Sequence, residues 1–181
     1  MISLGLLELN SIAKGIEAGD AMLKTADVKL LKAATVCPGK FIVIISGDVA
    51  AVSASMEVGR SFAKEYLVDD LVIASLDSQV ISAINGCSVP PKMAALGVME
   101  FFSIAASVVA ADTAAKTAQV DILEVRMGLG IGGKSFVTLC GDVAAVQAAI
   151  DSGIKEAAEK GMVVSTCVIP SPRQEIFTAL I

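Results

Sequence analysis

Four cysteines, no histidine and two glycine-bearing loops bound the chemistry open to this chain. The cysteines are Cys37, Cys87, Cys140 and Cys167, and no two form a C-x-x-C pair, so free thiols or metal ligands are expected rather than disulfides. Cys37 stands in Thr35-Val36-Cys37-Pro38-Gly39-Lys40, where glycine lets the backbone turn closely and Pro38 stiffens the loop. A lone thiol there is either an unliganded loop residue or one donor towards a metal. The string Gly128-x-Gly130-x-x-Gly133 matches a dinucleotide fingerprint. That motif works only where a strand leads through it into a helix. Here Lys134 to Cys140 is apolar and strand-like, so a loop is expected instead. Without histidine the commonest general acid/base and the commonest zinc ligand are gone. Asp48 and Asp142 read as helix N-caps rather than acids. No catalytic constellation is present, and an enzyme is not expected.

Composition narrows the class further. The 181 residues are 55% hydrophobic and 18% charged, which excludes a disordered chain. Net charge is −5 and no Lys/Arg run occurs, so nucleic acid is not an expected partner. Met1 to Gly5 lacks the positive start of a signal peptide. The most membrane-like stretch, Met93 to Ala111, carries Glu100 and reads as a buried strand followed by a helix. No membrane association is expected.

The elements that position these residues come in two copies. Leu4-Gly5-Leu6-Leu7-Glu8 returns as Leu96-Gly97-Val98-Met99-Glu100, 92 positions on (Gly5 to Gly97). Gly47-Asp48-Val49-Ala50-Ala51-Val52 returns unchanged at Gly141 to Val146, 94 positions on (Gly47 to Gly141). The second copy has therefore gained two residues between these blocks. The first copy is expected over 1–86, a linker over 87–92 and the second copy over 93–181.

Within one copy, Leu4 to Asn10 predicts a strand. Ser11 then caps a helix with Ile12, Ile16, Gly19 and Leu23 on its inner face, matched by Ile104, Val108, Ala111 and Ala115. Val28 to Ala33 is a strand whose alternation slips at Leu30-Leu31, as it does again at Ile122-Leu123, which predicts a shared bulge. Phe41 to Ile45 is the third strand. Asp48 opens a helix carrying Val49, Val52, Met56, Ala63 and Tyr66. Leu71 to Leu76 is the fourth strand, and a short helix near Gln79 to Ile84 closes the unit. The order is β-α-β-β-α-β, a ferredoxin-like α+β unit present twice. Cys140 aligns with Ser46 and, like Cys167 in the last strand, is expected to pack in the core.

Taken together, the Leu-Gly-x-x-Glu strand, the Asp20 to Ala26 segment with Lys24, the loop between strands two and three, and the Gly-Asp-Val-Ala-Ala-Val helix start resemble the bacterial microcompartment (BMC) shell domain, twice over nearly the whole chain. The resemblance implies a tandem shell protein whose homotrimer imitates a hexamer. Such a trimer would tile with other shell proteins in a compartment of the cytoplasm. Its axial pore would be lined by Val36, Cys37, Pro38, Gly39 and Lys40 from copy one and Gly128, Leu129, Gly130 and Ile131 from copy two. Lys24 and Lys116 would lie along the tile edge. The Cys-Pro-Gly-Lys-Phe loop resembles the iron–sulfur-carrying tandem members from propanediol-utilisation compartments. That implies a [4Fe–4S] cluster held by Cys37 of three subunits, passing electrons across the shell or delivering the cluster to an enclosed redox enzyme. Two other readings stay open: a plain pore for a small metabolite, and a ferredoxin-like regulator binding a small ligand.

Overall fold

The computed structural model describes residues 2–86 and 94–176, and the linker 87–92 with Cys87 lies outside them. Contacts divide the chain into two compact units, residues 1–76 with Gly128–Gly133, and Asp77–Met127 with Lys134–Ile181.

The first unit runs β1 (Ser3–Leu9), α1 (Ile12–Thr25), β2 (Lys29–Val36), β3 (Lys40–Gly47), α2 (Val49–Ala63), a 3-10 turn (Lys64–Tyr66) and β4 (Leu67–Ile73). The second contains α3 (Ser78–Asn85), β5 (Ala95–Phe101), α4 (Ile104–Thr117), β6 (Val120–Met127), β7 (Ser135–Gly141), α5 (Val143–Gly153), α6 (Lys155–Glu159) and β8 (Val163–Pro170). Each sheet is antiparallel, ordered β2-β3-β1-β4 and β6-β7-β5-β8, the ferredoxin-like order expected from the element pattern. The expected bulge is present in both copies, as register shifts between Leu30 and Lys32 and between Ile122 and Glu124.

Burial explains why these segments form a sheet with helices on one face. Leu7, Leu9, Phe41, Val43 and Ile45 meet Ala18, Met22, Val52, Met56 and Ala63 in the first core. Of the face expected for α1 only Gly19 is buried: Ile12, Ile16 and Leu23 are exposed, and Gly15, Ala18 and Met22 are buried beside Gly19 instead. Small residues let this helix sit close to the sheet, for a Cβ on Gly15 would meet Phe41 Cδ1 at 2.5 Å. In α4 the expected Ile104, Val108 and Ala111 are buried and Ala115 is half-buried.

On α2, Val52, Met56 and Ala63 face the core as expected, but Val49 is exposed and Tyr66 lies in the 3-10 turn. β4 begins and ends earlier than Leu71 to Leu76, since a turn at Lys64, with positive φ, already ends α2. Cys140 packs against Leu96 and Leu123 as expected. Cys167 is exposed: β8 is an edge strand in which no residue is buried, and Ser165, Thr166 and Cys167 are exposed in succession. No helix among the described residues is long and apolar enough to cross a membrane.

Candidate functional site

The loop between β2 and β3 is tighter than the six residues expected. Val36 still pairs with Lys40 across the ladder, so Val36 ends β2, Lys40 opens β3, and the turn is Cys37-Pro38-Gly39. Gly39 takes φ +70°, the left-handed position a three-residue hairpin needs. The Cys37–Pro38 peptide is cis. Val36 is buried and Cys37 is half-buried, while Pro38 and Gly39 are exposed.

Gly128–Gly133 belongs to the same unit and packs against this turn. The Cys37 N–H donates to the Gly128 carbonyl at 3.0 Å. Gly133 lies so close that a Cβ there would stand 2.6 Å from the Cys37 carbonyl oxygen. Gly128, Gly130, Gly132 and Gly133 all have positive φ, a path that side chains rarely follow. Leu129 is strongly exposed and Ile131 half-buried on this segment. No helix follows it, since Ser135 opens β7, so the glycine string lacks the context of a dinucleotide site.

Lys40 forms an ion pair with Glu8, whose carboxylate is buried on β1. Lys134 pairs likewise with Glu100 at 2.5 Å. Sequence reasoning passed over both glutamates, although their duplication together with that of the lysines was a usable signal. The Lys40 charge is thus already balanced inside its own unit. Lys24 is exposed and paired with Asp20 at 2.5 Å, and Lys116 with Asp112 at 2.5 Å, each one helical turn apart.

Ser11, Ser103 and Asp48 cap their helices through side-chain bonds to Lys14, Ala106 and Ala51 N–H groups. Asp142 occupies the N-cap position without such a bond. It lines a cleft with Gln119, Asp121 and Cys140. Burial, helped by the charge of Asp121, pushes the Cys140 thiol up to about 11, which keeps it protonated and inert at neutral pH. Among the described residues no group of three or more His, Cys, Asp or Glu could hold a metal within one chain.

Comparison with known proteins agrees with this architecture. The BMC domain model matches residues 3–76 and again 95–172. The chain is 44% identical over 179 residues to the bacterial microcompartment shell protein PduT of Citrobacter freundii, covering 99% of this chain and 97% of that one. It is 36% identical over 84 residues to the major carboxysome shell protein CsoS1A of Halothiobacillus neapolitanus, spanning 46% of this chain and 85% of that protein. The crystal structure of a microcompartments protein from Desulfitobacterium hafniense superposes with a TM-score of 0.94 at 53% identity, covering 98% of this chain and 99% of that one. The chain therefore belongs to the BMC-domain family as a tandem, non-enzymatic shell protein of bacterial microcompartments.

Proposed function

We propose that the chain forms a homotrimer whose six domains imitate a hexamer, and that Cys37 of each subunit holds a [4Fe–4S] cluster at the axial pore. The observation that carries this is an asymmetry between matching hairpins. The first offers a half-buried thiol on a turn whose backbone is pinned to Gly128, and the second offers only glycines and apolar residues.

The donor chemistry fits the group. A thiolate is the usual ligand of such clusters, which take four. One chain supplies one, and three chains around an axis supply three. The fourth iron is left to water, a small ligand or a partner. Three thiolates alone would repel one another, so convergence calls for a cationic centre between them. When bound, the cluster supplies one-electron transfer. The chain's own work is to place Cys37, to shape the opening with Pro38, Gly39, Leu129, Gly130 and Ile131, and to keep Lys40 tied to Glu8. Transfer across the shell, or to an enclosed redox enzyme, belongs to this reading. So do an edge role for Lys24 and Lys116, and repeat limits at 1–86 and 93–181.

Anaerobic purification with iron and acid-labile sulfide analysis tests the cluster. About four irons and four sulfides per trimer are expected, falling to background in Cys37→Ser. Iron absent after careful reconstitution, or iron indifferent to Cys37→Ser, sinks it and leaves a shell tile with a plain metabolite pore.

A further inference from the structure

Four strands stand at the edges of the two sheets, β2 and β4 in one and β6 and β8 in the other. An edge strand offers unpaired backbone N–H and C=O groups to any extended segment, and charged side chains within it are a usual guard. β2 carries Lys29 and Lys32, β4 carries Asp69 and Asp70, and β6 carries Asp121, Glu124 and Arg126. β8 carries none. Val163 to Pro170 is uncharged, and the uncharged run extends from Gly161 to Pro172.

The guard present on β4 is missing from β8 as a pair. Leu4 pairs with Ile73 and Leu96 with Ile169, so the two last strands match at 96 positions (Ile73 to Ile169). Asp69 and Asp70 therefore match Ser165 and Thr166. In the first unit Arg60 of α2 donates from Nε to Asp70 Oδ2 at 2.8 Å, which pins that charge at the edge. α2 and α5 match at 94 positions (Gly47 to Gly141), which sets Ile154 where Arg60 stands. Both halves of the ion pair are thus replaced by uncharged residues. The strand left behind is exposed at Ser165, Thr166 and Cys167, and among the described residues no strand lies beyond it.

The absence of charge decides which segment such an edge can accept. β4 laid against its own copy would bring carboxylates together, and like charges across a ladder oppose pairing. β8 has no such cost. Pro170 has no N–H to give, so the pairing segment is Val163 to Ile169, whose midpoint is Thr166. Laid antiparallel about that midpoint, Thr166 meets Thr166, Ser165 meets Cys167, Val164 meets Val168 and Val163 meets Ile169. Threonine pairs are favourable cross-strand neighbours, and the β-branched residues on either side suit a pleated strand.

We propose that β8 pairs antiparallel with β8 of a second copy of this chain about a two-fold axis at Thr166, joining two four-stranded sheets edge to edge. The contact is isologous and closes with two chains. It goes beyond the proposed trimer and does not depend on it. A trimer would present this strand once per subunit and pair with a second trimer.

Native mass measurement of the full-length protein tests the pairing beside Thr166→Asp with Ile154→Arg, which restores the guard of the first unit. The particle mass is expected to halve in the guarded variant, from six chains to three. A second variant, Thr166→Cys with Cys167→Ser, sets a thiol on the two-fold axis. Opposed Cα atoms of an antiparallel pair lie about 4.5–5.5 Å apart, within the span of a disulfide. Mild oxidation should give a covalent two-chain species that Cys167→Ser alone does not give. Circular dichroism checks folding, and the cross-link decides where the guarded variant does not fold. Equal masses for guarded and unaltered protein, or no two-chain species beyond the control, overturn the proposal. Unaltered protein that stays at three chains refutes the pairing and leaves the trimer standing. Two chains that fall to one on guarding support the pairing and refute the trimer.

Discussion

The two hairpins between the second and third strands share one framework and do different things with it. Both are flanked by a lysine tied to a glutamate on the neighbouring strand, Lys40 to Glu8 and Lys134 to Glu100. Both follow a bulged strand. One then turns in three residues through Cys37, and the other takes a longer path whose glycines fold against that turn. Duplication has kept what packs and changed what faces outward. A second copy frees a loop from needing to be identical to its twin, and here it becomes the wall of the first loop's site.

The largest expected difference lies in the paired lysines. Glu8 is almost fully buried and Lys40 largely so, whereas about a third or more of Glu100 and Lys134 stays in water. Removing one partner of a buried pair leaves an uncompensated charge, which costs about 3–5 kcal/mol. A half-exposed pair contributes up to about 1 kcal/mol. Chemical denaturation of Lys40→Met and Lys134→Met should therefore give strongly unequal losses. Equal losses would mean the two pairs are interchangeable.

The glycines of the longer loop sharpen the comparison next. Gly130 and Gly133 have φ of +75° and +81°, so alanine is strained at either by about 1–2 kcal/mol. Only at Gly133 does the new Cβ also press on the Cys37 carbonyl, while Gly130 faces open space. Gly133→Ala should cost about 2–3 kcal/mol and lower any iron held by Cys37. Gly130→Ala should cost the strain alone and keep the iron. Parallel melting curves and iron assays on the two variants separate the effects.

Most of the framework was legible in the sequence because it was written twice. The slip at Leu30-Leu31 meant little alone, but its return at Ile122-Leu123 identified a bulge. Ser11 and Asp48 were readable because a cap is a local bond. What failed were judgements about which side faces the core. Ile12, Ile16 and Leu23 make a convincing stripe with Gly19, yet of these only Gly19 lies on the sheet, beside Gly15, Ala18 and Met22. Cys167 sits in an apolar run that reads as core, but the run does not reveal that β8 is an edge strand with no buried residue. The contact of Gly128 and Gly133 with the Cys37 turn joins residues about 90 positions apart, beyond what local patterns carry.

A third contrast sets Cys140 against Ser46 at the same strand position. Burial first and the charge of Asp121 second raise the Cys140 thiol from an ordinary 9.0 to about 11. Below pH 9 the thiol is protonated in the folded and unfolded chain alike. Between about pH 9 and 11 the unfolded chain releases its proton while the folded chain keeps it, so stability falls as pH rises. The loss amounts to about 2.7 kcal/mol once the window is crossed. Cys140→Ser, which copies the first unit, should flatten the alkaline limb of a stability–pH profile. An unchanged limb would assign the alkaline loss to other groups.

The smallest expected difference tests whether the repeated Gly-Asp-Val-Ala-Ala-Val block works alike in both places. Asp48 accepts from the Ala51 N–H at 2.8 Å, so Asp48→Ala removes a real cap and should cost about 1 kcal/mol. Asp142 has the same extended backbone at the same position but makes no side-chain cap bond. Its carboxylate still favours the positive end of α5 through its charge, an effect worth a few tenths of a kcal/mol at an exposed site. Asp142→Ala should therefore cost less than Asp48→Ala, and added salt should erase most of that cost while leaving most of the Asp48 effect. Denaturation at low and high ionic strength distinguishes the two. Equal, salt-resistant losses would show that Asp142 closes its cap in solution, and identical sequence would then mean identical work.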